Sequence, residues 1–210
     1  MTTEPCIDCG TSIPQQADYK AANLTFTDDK ITMLNPIDGI TYEVMMSWEQ
    51  PIMDVMADVC VSEGDHVLEC GFGMGILSDA IQAKNPASHT ICEFHPDIIP
   101  RLQAWSKDKD SVKIWENDWS ELIYKPEKYD AILMDTFADD PLSDRFKIFC
   151  DTKAGKNCKV SWWNNSGETT SRFMDSLWSN IAFIDVAISP PLNQYYNKQV
   201  YKIPLKILNN

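Results

Sequence analysis

Apolar positions along this chain switch between two periods, and the switches mark out its elements. Trp48, Ile52, Val55, Met56 and Val59 fall at offsets 0, 4, 7, 8 and 11, the stripe of a helix. Pro51 is tolerated there because a first-turn residue has no intrahelical N–H bond to lose. Ser62-Glu63-Gly64-Asp65 is turn chemistry, and residues 66–70 read as a short buried strand. The Gly71-Phe72-Gly73-Met74-Gly75 loop follows, then Ile76, Leu77, Ala80 and Ile81 space out a second amphipathic helix that stops near Asn85-Pro86. Further on, residues 90–93 predict a strand, 97–105 a helix with Ile98, Leu102 and Trp105 inward, and 112–115 a strand. Residues 131–135 and 159–163 predict two more strands, and Phe173, Met174, Leu177 and Trp178 the face of another helix.

Strand and helix thus alternate about every 20–25 residues, as parallel α/β units do. Two closing strands, 181–188 and 200–208, are joined around Pro190-Pro191 by a loop too short for a crossover helix, so they are antiparallel. The fold class is a doubly wound α/β sheet, mostly parallel with an antiparallel last strand. Residues 1–18, with Pro5, Gly10 and Pro14 and little periodicity, read as a flexible arm, and 19–210 as one domain. Between Tyr19 and Gly39 the pattern is mixed, with a short apolar segment at 24–26, and predicts a helix or a lid.

Composition narrows the partners. At 210 residues and 44% hydrophobic the chain buries one full core but not comfortably two. No run of about 18 apolar residues exists, and the first 30 residues are polar and acidic, so neither a membrane span nor a signal peptide is supported and the expected location is the cytoplasm. A net charge of −13 disfavours nucleic acid, whose binding relies on Lys and Arg releasing counterions, and suits a small cationic substrate. The seven cysteines are scattered, and Cys60, Cys70 and Cys92 lie in apolar segments where reduced thiols are expected. Cys6 and Cys9 have zinc-ligand spacing without a matching second pair, so no metal is expected.

A glycine loop between strand and helix lets backbone approach a ligand closely. The pattern alone also fits a tight turn or a dinucleotide enzyme. Glu69 ends the strand before the loop, and Glu93 ends the next strand, where an acidic side chain hydrogen-bonds ribose hydroxyls. Just past the third strand, Asp118 is placed to accept from an adenine amino group and Trp119 to flank the ring. No Arg or Lys is placed to meet phosphates, so the ligand is read as an adenosyl cofactor rather than a pyrophosphate-bearing one. Asp135 ends a central strand beside a hydrophobic run, where open α/β sheets bind ligands, and Glu49 sits at a helix entrance.

The chain resembles a known family. Tyr42-Glu43-Val44-Met45-Met46-Ser47-Trp48-Glu49-Gln50-Pro51-Ile52-Met53, Leu68-Glu69-Cys70-Gly71-Phe72-Gly73-Met74 and Tyr129-Asp130-Ala131-Ile132-Leu133-Met134-Asp135-Thr136 are similar to the guanidinoacetate N-methyltransferases and the related arginine δ-N-methyltransferases. Tyr195-Tyr196 and the Pro204-Leu205 strand resemble that family's closing hairpin. The resemblance runs from about Leu24 to the C-terminus. It implies a class I methyltransferase fold with S-adenosyl-L-methionine as cofactor. Met53, Phe72, Gly73, Met74, Gly75, Ile76 and Leu77, then Glu93, Phe94 and His95, and Trp119 with Ser120 would surround that cofactor. Met45 and Glu49 would line the substrate pocket, Asp135 would sit between the two ligands, and Asn164, Asn165 and Ser166 would meet the substrate's far end. Trp162-Trp163-Asn164-Asn165-Ser166 departs from the family's usual wording. The stretch from Phe137 to Asn157 is shorter than the helical insertion expected from the family.

A guanidinium delocalises its positive charge and has no free lone pair with which to attack a methyl group. Two carboxylates remedy this by localising the charge and accepting a proton, with Glu49 as a bidentate clamp and Asp135 aiming the nitrogen and taking the proton. The expected reaction is therefore N-methylation of a small guanidino compound, guanidinoacetate-like or arginine-like. Arginine-directed members of the family can carry an extra N-terminal repeat domain, for which there is no room before Tyr19, so a free molecule is the expected acceptor. Leu24-Thr25-Phe26-Thr27-Asp28-Asp29 nevertheless resembles the arginine-directed branch and keeps arginine in a protein open. A methyltransferase with a different nucleophile, and a cofactor-binding homologue without turnover, are compatible with the same residues. Oligomeric state is not legible in the sequence.

Overall fold

Val67, Leu68, Glu69 and Cys70 are all buried, as are Ala131, Ile132, Leu133 and Met134, which is the signature of strands covered on both faces. The computed structural model describes residues 16–36, 38–138, 144–164 and 178–209. In chain order its elements are α1 (Gln16–Ala21), β1 (Leu24–Phe26), β2 (Lys30–Leu34), β3 (Thr41–Met46), α2 (Gln50–Cys60), β4 (His66–Cys70), α3 (Ile76–Gln82) and β5 (Ser88–Cys92). Then come α4 (Ile99–Ser106), β6 (Val112–Trp115), β7 (Tyr129–Met134), α5 (Asp144–Lys153), β8 (Ala154–Trp162), β9 (Ala182–Ala187) and β10 (Val200–Asn209), with short 3-10 turns at Ser47–Glu49 and Trp119–Tyr124.

The large sheet runs β6-β5-β4-β7-β8-β10-β9. Pairings from β6 through β8 are parallel, and β10 is antiparallel to both β8 and β9. Sheet order leaves β4 in two directions, towards β5 and towards β7, so a crevice opens between them at their carboxyl ends. Alternation along each strand divides the core. Val67, Ala131 and Leu133 face Ile52, Met53, Met56, Ile76 and Leu77, whereas Leu68, Cys70, Ile132 and Met134 face Phe146, Phe149, Trp162 and Trp178.

Two stretches differ from the sequence expectation. Residues 24–46 form a three-stranded antiparallel sheet rather than a helix or lid. Its strands are short and the buried period-2 signal is confined to Ile31 and Met33, so the hairpin dipeptide Asp38-Gly39 in the second connection stands without a clear alternation on either side of it. The charged stretch after Phe137 holds α5, whose Phe146, Phe149 and Cys150 are buried at helical spacing. Regular structure begins at Gln16, inside the stretch read as an arm; the rest of that arm, with Cys6 and Cys9, lies outside the described residues, as do Phe173, Met174 and Leu177.

Candidate active site

Register decides which residues meet. Cys70 pairs with both Cys92 and Met134, Cys92 pairs with Trp115, and Met134 pairs with Trp162. The residue after each strand therefore leaves the same edge of the sheet, so Gly71, Glu93, Asp135 and Trp163 stand in one row. The ladder continues through them: Gly71 N donates to Cys92 O at 2.9 Å, Asp135 N to Cys70 O at 2.9 Å and Trp163 N to Met134 O at 2.9 Å.

The glycine loop needs its glycines. Gly71, Gly73 and Gly75 have φ of +92°, +53° and +81°. A Cβ on Gly71 would sit 2.1 Å from the Asp135 carbonyl oxygen, and one on Gly73 would sit 2.4 Å from Met45 Sδ. Met45, from β3, also receives a hydrogen bond from Met74 N at 3.2 Å, so the small sheet is tied to the loop's outer side.

Glu93 is buried and holds the loop together. Its carboxylate accepts from Phe72 N at 3.1 Å and from Phe94 N and His95 N at 2.8 Å each. Burial raises its pKa, and the backbone donors oppose that rise. Glu69 accepts from Ser78 Oγ at 2.7 Å and lies 2.8 Å from His89 Nε2, and all three side chains are fully buried. Among the described residues its other oxygen is buried without a hydrogen-bond partner. An orphaned acceptor beneath a loop with no room for side chains fits a ligand that brings a cationic amino group, which is a feature of S-adenosylmethionine.

A second group of polar side chains, Glu49 and Tyr195, gathers around Asp135. Glu49 is 3% exposed although it is charged by type. Its Oε1 accepts from Met46 N at 2.7 Å and from the Tyr195 hydroxyl at 2.6 Å. Burial, and then the charge of Asp135, raises its carboxyl to about 8. Asp135 keeps some accessible surface yet lies deep in the cleft, where burial and then the charge of Glu69 raise its carboxyl to about 7. Burial and then the charges of Glu49 and Asp135 hold the Tyr195 phenol far above its ordinary value, so it remains a donor.

Other sequence candidates sit further from open space. Met53, Ile76 and Leu77 are core residues, and His95 is buried with Nε2 on the Tyr19 carbonyl at 2.9 Å. Asp118 Oδ1 caps the turn at Ser120 N (2.9 Å), takes the Ser120 hydroxyl at 2.5 Å and pairs with Arg145 at 2.5 Å. Trp119 is buried edge-on against Phe146 and Phe149, with the Arg145 guanidinium 4.8 Å from its ring centroid. Asn164 N donates to the Tyr201 hydroxyl at 2.5 Å and Asn164 Nδ2 to Lys202 O at 2.9 Å, while Asn165 and Ser166 lie outside the described residues.

Sequence reasoning missed the aromatic wall beside Glu49. The Tyr195 ring centroid lies 5.8 Å from Trp48 and 6.1 Å from Trp163. It also missed Tyr19, buried against Phe94, His95 and Phe137. The available signal was aromatic residues outside the strands, Tyr19 in α1, Trp48 in the 3-10 turn and Tyr195 in the β9–β10 connection, and it is weak without coordinates.

Among solved structures the fold is similar to spermidine synthase from Thermotoga maritima, with a TM-score of 0.59 at 13% identity over 88% of this chain and 72% of that one. The N-methyltransferase NodS from Bradyrhizobium japonicum is similar too, with a TM-score of 0.58 at 10% identity over 78% of this chain and 97% of that one. At such identities the likeness concerns the fold alone. Among curated proteins, protein arginine N-methyltransferase 2 of Yarrowia lipolytica is 36% identical over 60% of this chain and 28% of its own length. Its Saccharomyces cerevisiae counterpart is 35% identical over 86% of this chain and 45% of its own length. The chain thus spans less than half of either relative. The family model for guanidinoacetate N-methyltransferase matches residues 9–150, and the chain belongs to that family.

Proposed function

We propose that this chain transfers a methyl group from S-adenosylmethionine to a guanidino nitrogen. The observation that carries the reading is the pairing of Glu49 and Asp135, two desolvated carboxyls with raised pKa values, beside the glycine loop at the switch point of the sheet. Two carboxyls that resist ionisation next to each other are a receptor for a delocalised cation, whose arrival restores both charges.

Gly71 to Gly75 with Glu69 and Glu93 would hold the cofactor, and Met45 would line the boundary between the two ligands. When bound, S-adenosylmethionine supplies an electrophilic methyl on sulfur. Glu49 pairs with the guanidinium at one edge. Asp135 concentrates the positive charge on the far side of the fork, freeing electron density at the attacking nitrogen, and accepts the proton that nitrogen sheds as the new N–C bond forms. Walls of Met45, Trp48 and Trp163 keep water away from the reacting atoms.

The acceptor proposed first is a small guanidino compound, on the description of the matching family model. Arginine within a protein is a second reading, favoured by the names of the curated relatives. The test is a mass-spectrometric assay of the wild-type chain with guanidinoacetate, free arginine and an arginine-containing peptide, with Glu49→Gln and Asp135→Asn as controls. Methyl product on one of the three, lost in both variants, is the expected result. Methylation of an amine or hydroxyl panel and of none of these three would remove the guanidino assignment. Product on the peptide alone would transfer it to the second reading.

A further inference from the structure

Tyr195 contributes a hydroxyl from 146 residues away to a carboxylate the mechanism depends on. Its position in the connection between β9 and β10 is pinned. Asn193 Oδ1 accepts from Tyr195 N at 3.0 Å and from Tyr196 N at 2.7 Å, and Asn193 Nδ2 donates back to Pro191 O at 2.9 Å and Tyr196 O at 2.8 Å. The ring is flanked by Trp48 and Trp163. The Trp48 indole N–H is buried without a well-formed hydrogen bond among the described residues, and lies close enough to the phenol oxygen to favour its ionised form. A flanked ring on a tied loop does not swing freely.

We propose that Tyr195 is a positioning residue that occupies one oxygen of Glu49 and leaves the other as the only oxygen Glu49 offers to the acceptor. This rests on the guanidino reading above. A carboxylate oxygen has two lone-pair directions. Those of Glu49 Oε1 are taken by Met46 N at 2.7 Å and the Tyr195 hydroxyl at 2.6 Å, whereas no described residue places a hydrogen bond on Oε2. The bidentate clamp expected from the sequence is thereby replaced by a two-point grip, one oxygen from Glu49 and the rest from Asp135. That grip leaves the guanidinium free to rotate about the Glu49 contact until Asp135 fixes it, so Asp135 selects which nitrogen reacts. The tyrosine has a second effect, because its donated hydrogen bond favours the ionised form of Glu49 and offsets part of the burial penalty. The groups facing Glu49 are Asp135 from the end of β7, Tyr195 from the β9–β10 connection and Tyr201 from β10, with Glu69 of β4 acting on Asp135.

The experiment compares wild type, Tyr195→Phe and Tyr196→Phe as full chains. Tyr196 donates to Val200 O at 2.7 Å and has no bond to Glu49, so it controls for loss of a loop hydroxyl. In Tyr195→Phe the acceptor KM rises about tenfold with cofactor affinity unchanged, and the acidic limb of kcat/KM moves up by about one pH unit. The Tyr196→Phe limb stays at the wild-type position. A carboxyl-carbon NMR titration of the ligand-free chains reads the same effect without turnover, as an upward shift of the Glu49 midpoint in Tyr195→Phe alone. An unmoved midpoint in that titration overturns the proposal, whatever the kinetics. A moved midpoint in a chain that methylates no guanidino compound leaves the Tyr195 contact standing and removes the functional reading instead.

Discussion

Replacing Asp135 with Asn should make the ligand-free protein more stable while destroying its activity. Asp135 has a folded pKa of about 7 against an ordinary 3.8, raised by burial and then by Glu69. A carboxyl raised in the folded state binds more protons folded than unfolded, so stability is lost as pH climbs through the window from 3.8 to about 7 and stays lost above it. The full rise corresponds to roughly 4 kcal/mol at 1.36 kcal/mol per unit. Part of that reflects the neighbouring carboxylates and is shared with them, so a gain on the order of 2 kcal/mol is expected from the isosteric amide at about pH 8.5. For a chain of this size that is an increase in Tm of ~4–8 °C. Differential scanning fluorimetry without cofactor or acceptor, at about pH 5 and about pH 8.5, reads the difference, which should grow with pH across that interval. An Asp135→Asn variant no more stable than wild type at the higher pH, or one whose advantage does not change with pH, would show that the carboxyl is not strained by its site.

Three further outcomes follow from the same geometry. If the proposed cation binds the ionised Glu49 and Asp135, the acceptor KM should fall as pH rises through about 7 and about 8, and a KM flat across that range contradicts the carboxylate grip. Gly71→Ala forces a Cβ to 2.1 Å from the Asp135 carbonyl at φ +92°, and should cost more than ~3 kcal/mol, read as a large drop in Tm or loss of folded protein. Glu93→Ala strands the N–H groups of Phe72, Phe94 and His95, and should weaken cofactor binding at least tenfold by titration calorimetry while destabilising the chain by about 2 kcal/mol.

The legible parts of the site are those carried by short continuous segments. The strand, glycine loop and helix from His66 to Gln82 announce themselves because burial on both faces, backbone room and helix periodicity are all local properties. Glu93 is legible for the same reason, as the acid that follows the next strand. The 24–46 sheet is not, because three short strands with few buried positions give too little alternation to separate from a loop. Helix α5 is hidden by its charges, although Phe146, Phe149 and Cys150 carry the stripe. Asp118 and Trp119 stand out in the sequence only through the ligand they would meet. Their pairing with Arg145 depends on a helix packing back over the 3-10 turn.

By itself the sequence determined the alternating architecture, the glycine loop, the family resemblance and the two carboxylates, since each is written in residue type and spacing. Tertiary structure decided what those carboxylates are. Strand register set Asp135 in one row with Gly71, Glu93 and Trp163, and a loop 146 residues beyond Glu49 brought Tyr195 onto its Oε1. Burial, the charge of a neighbour and the number of free lone pairs are properties of assembled space, so no reading of spacing could show that both hydrogen bonds to Glu49 fall on the same oxygen.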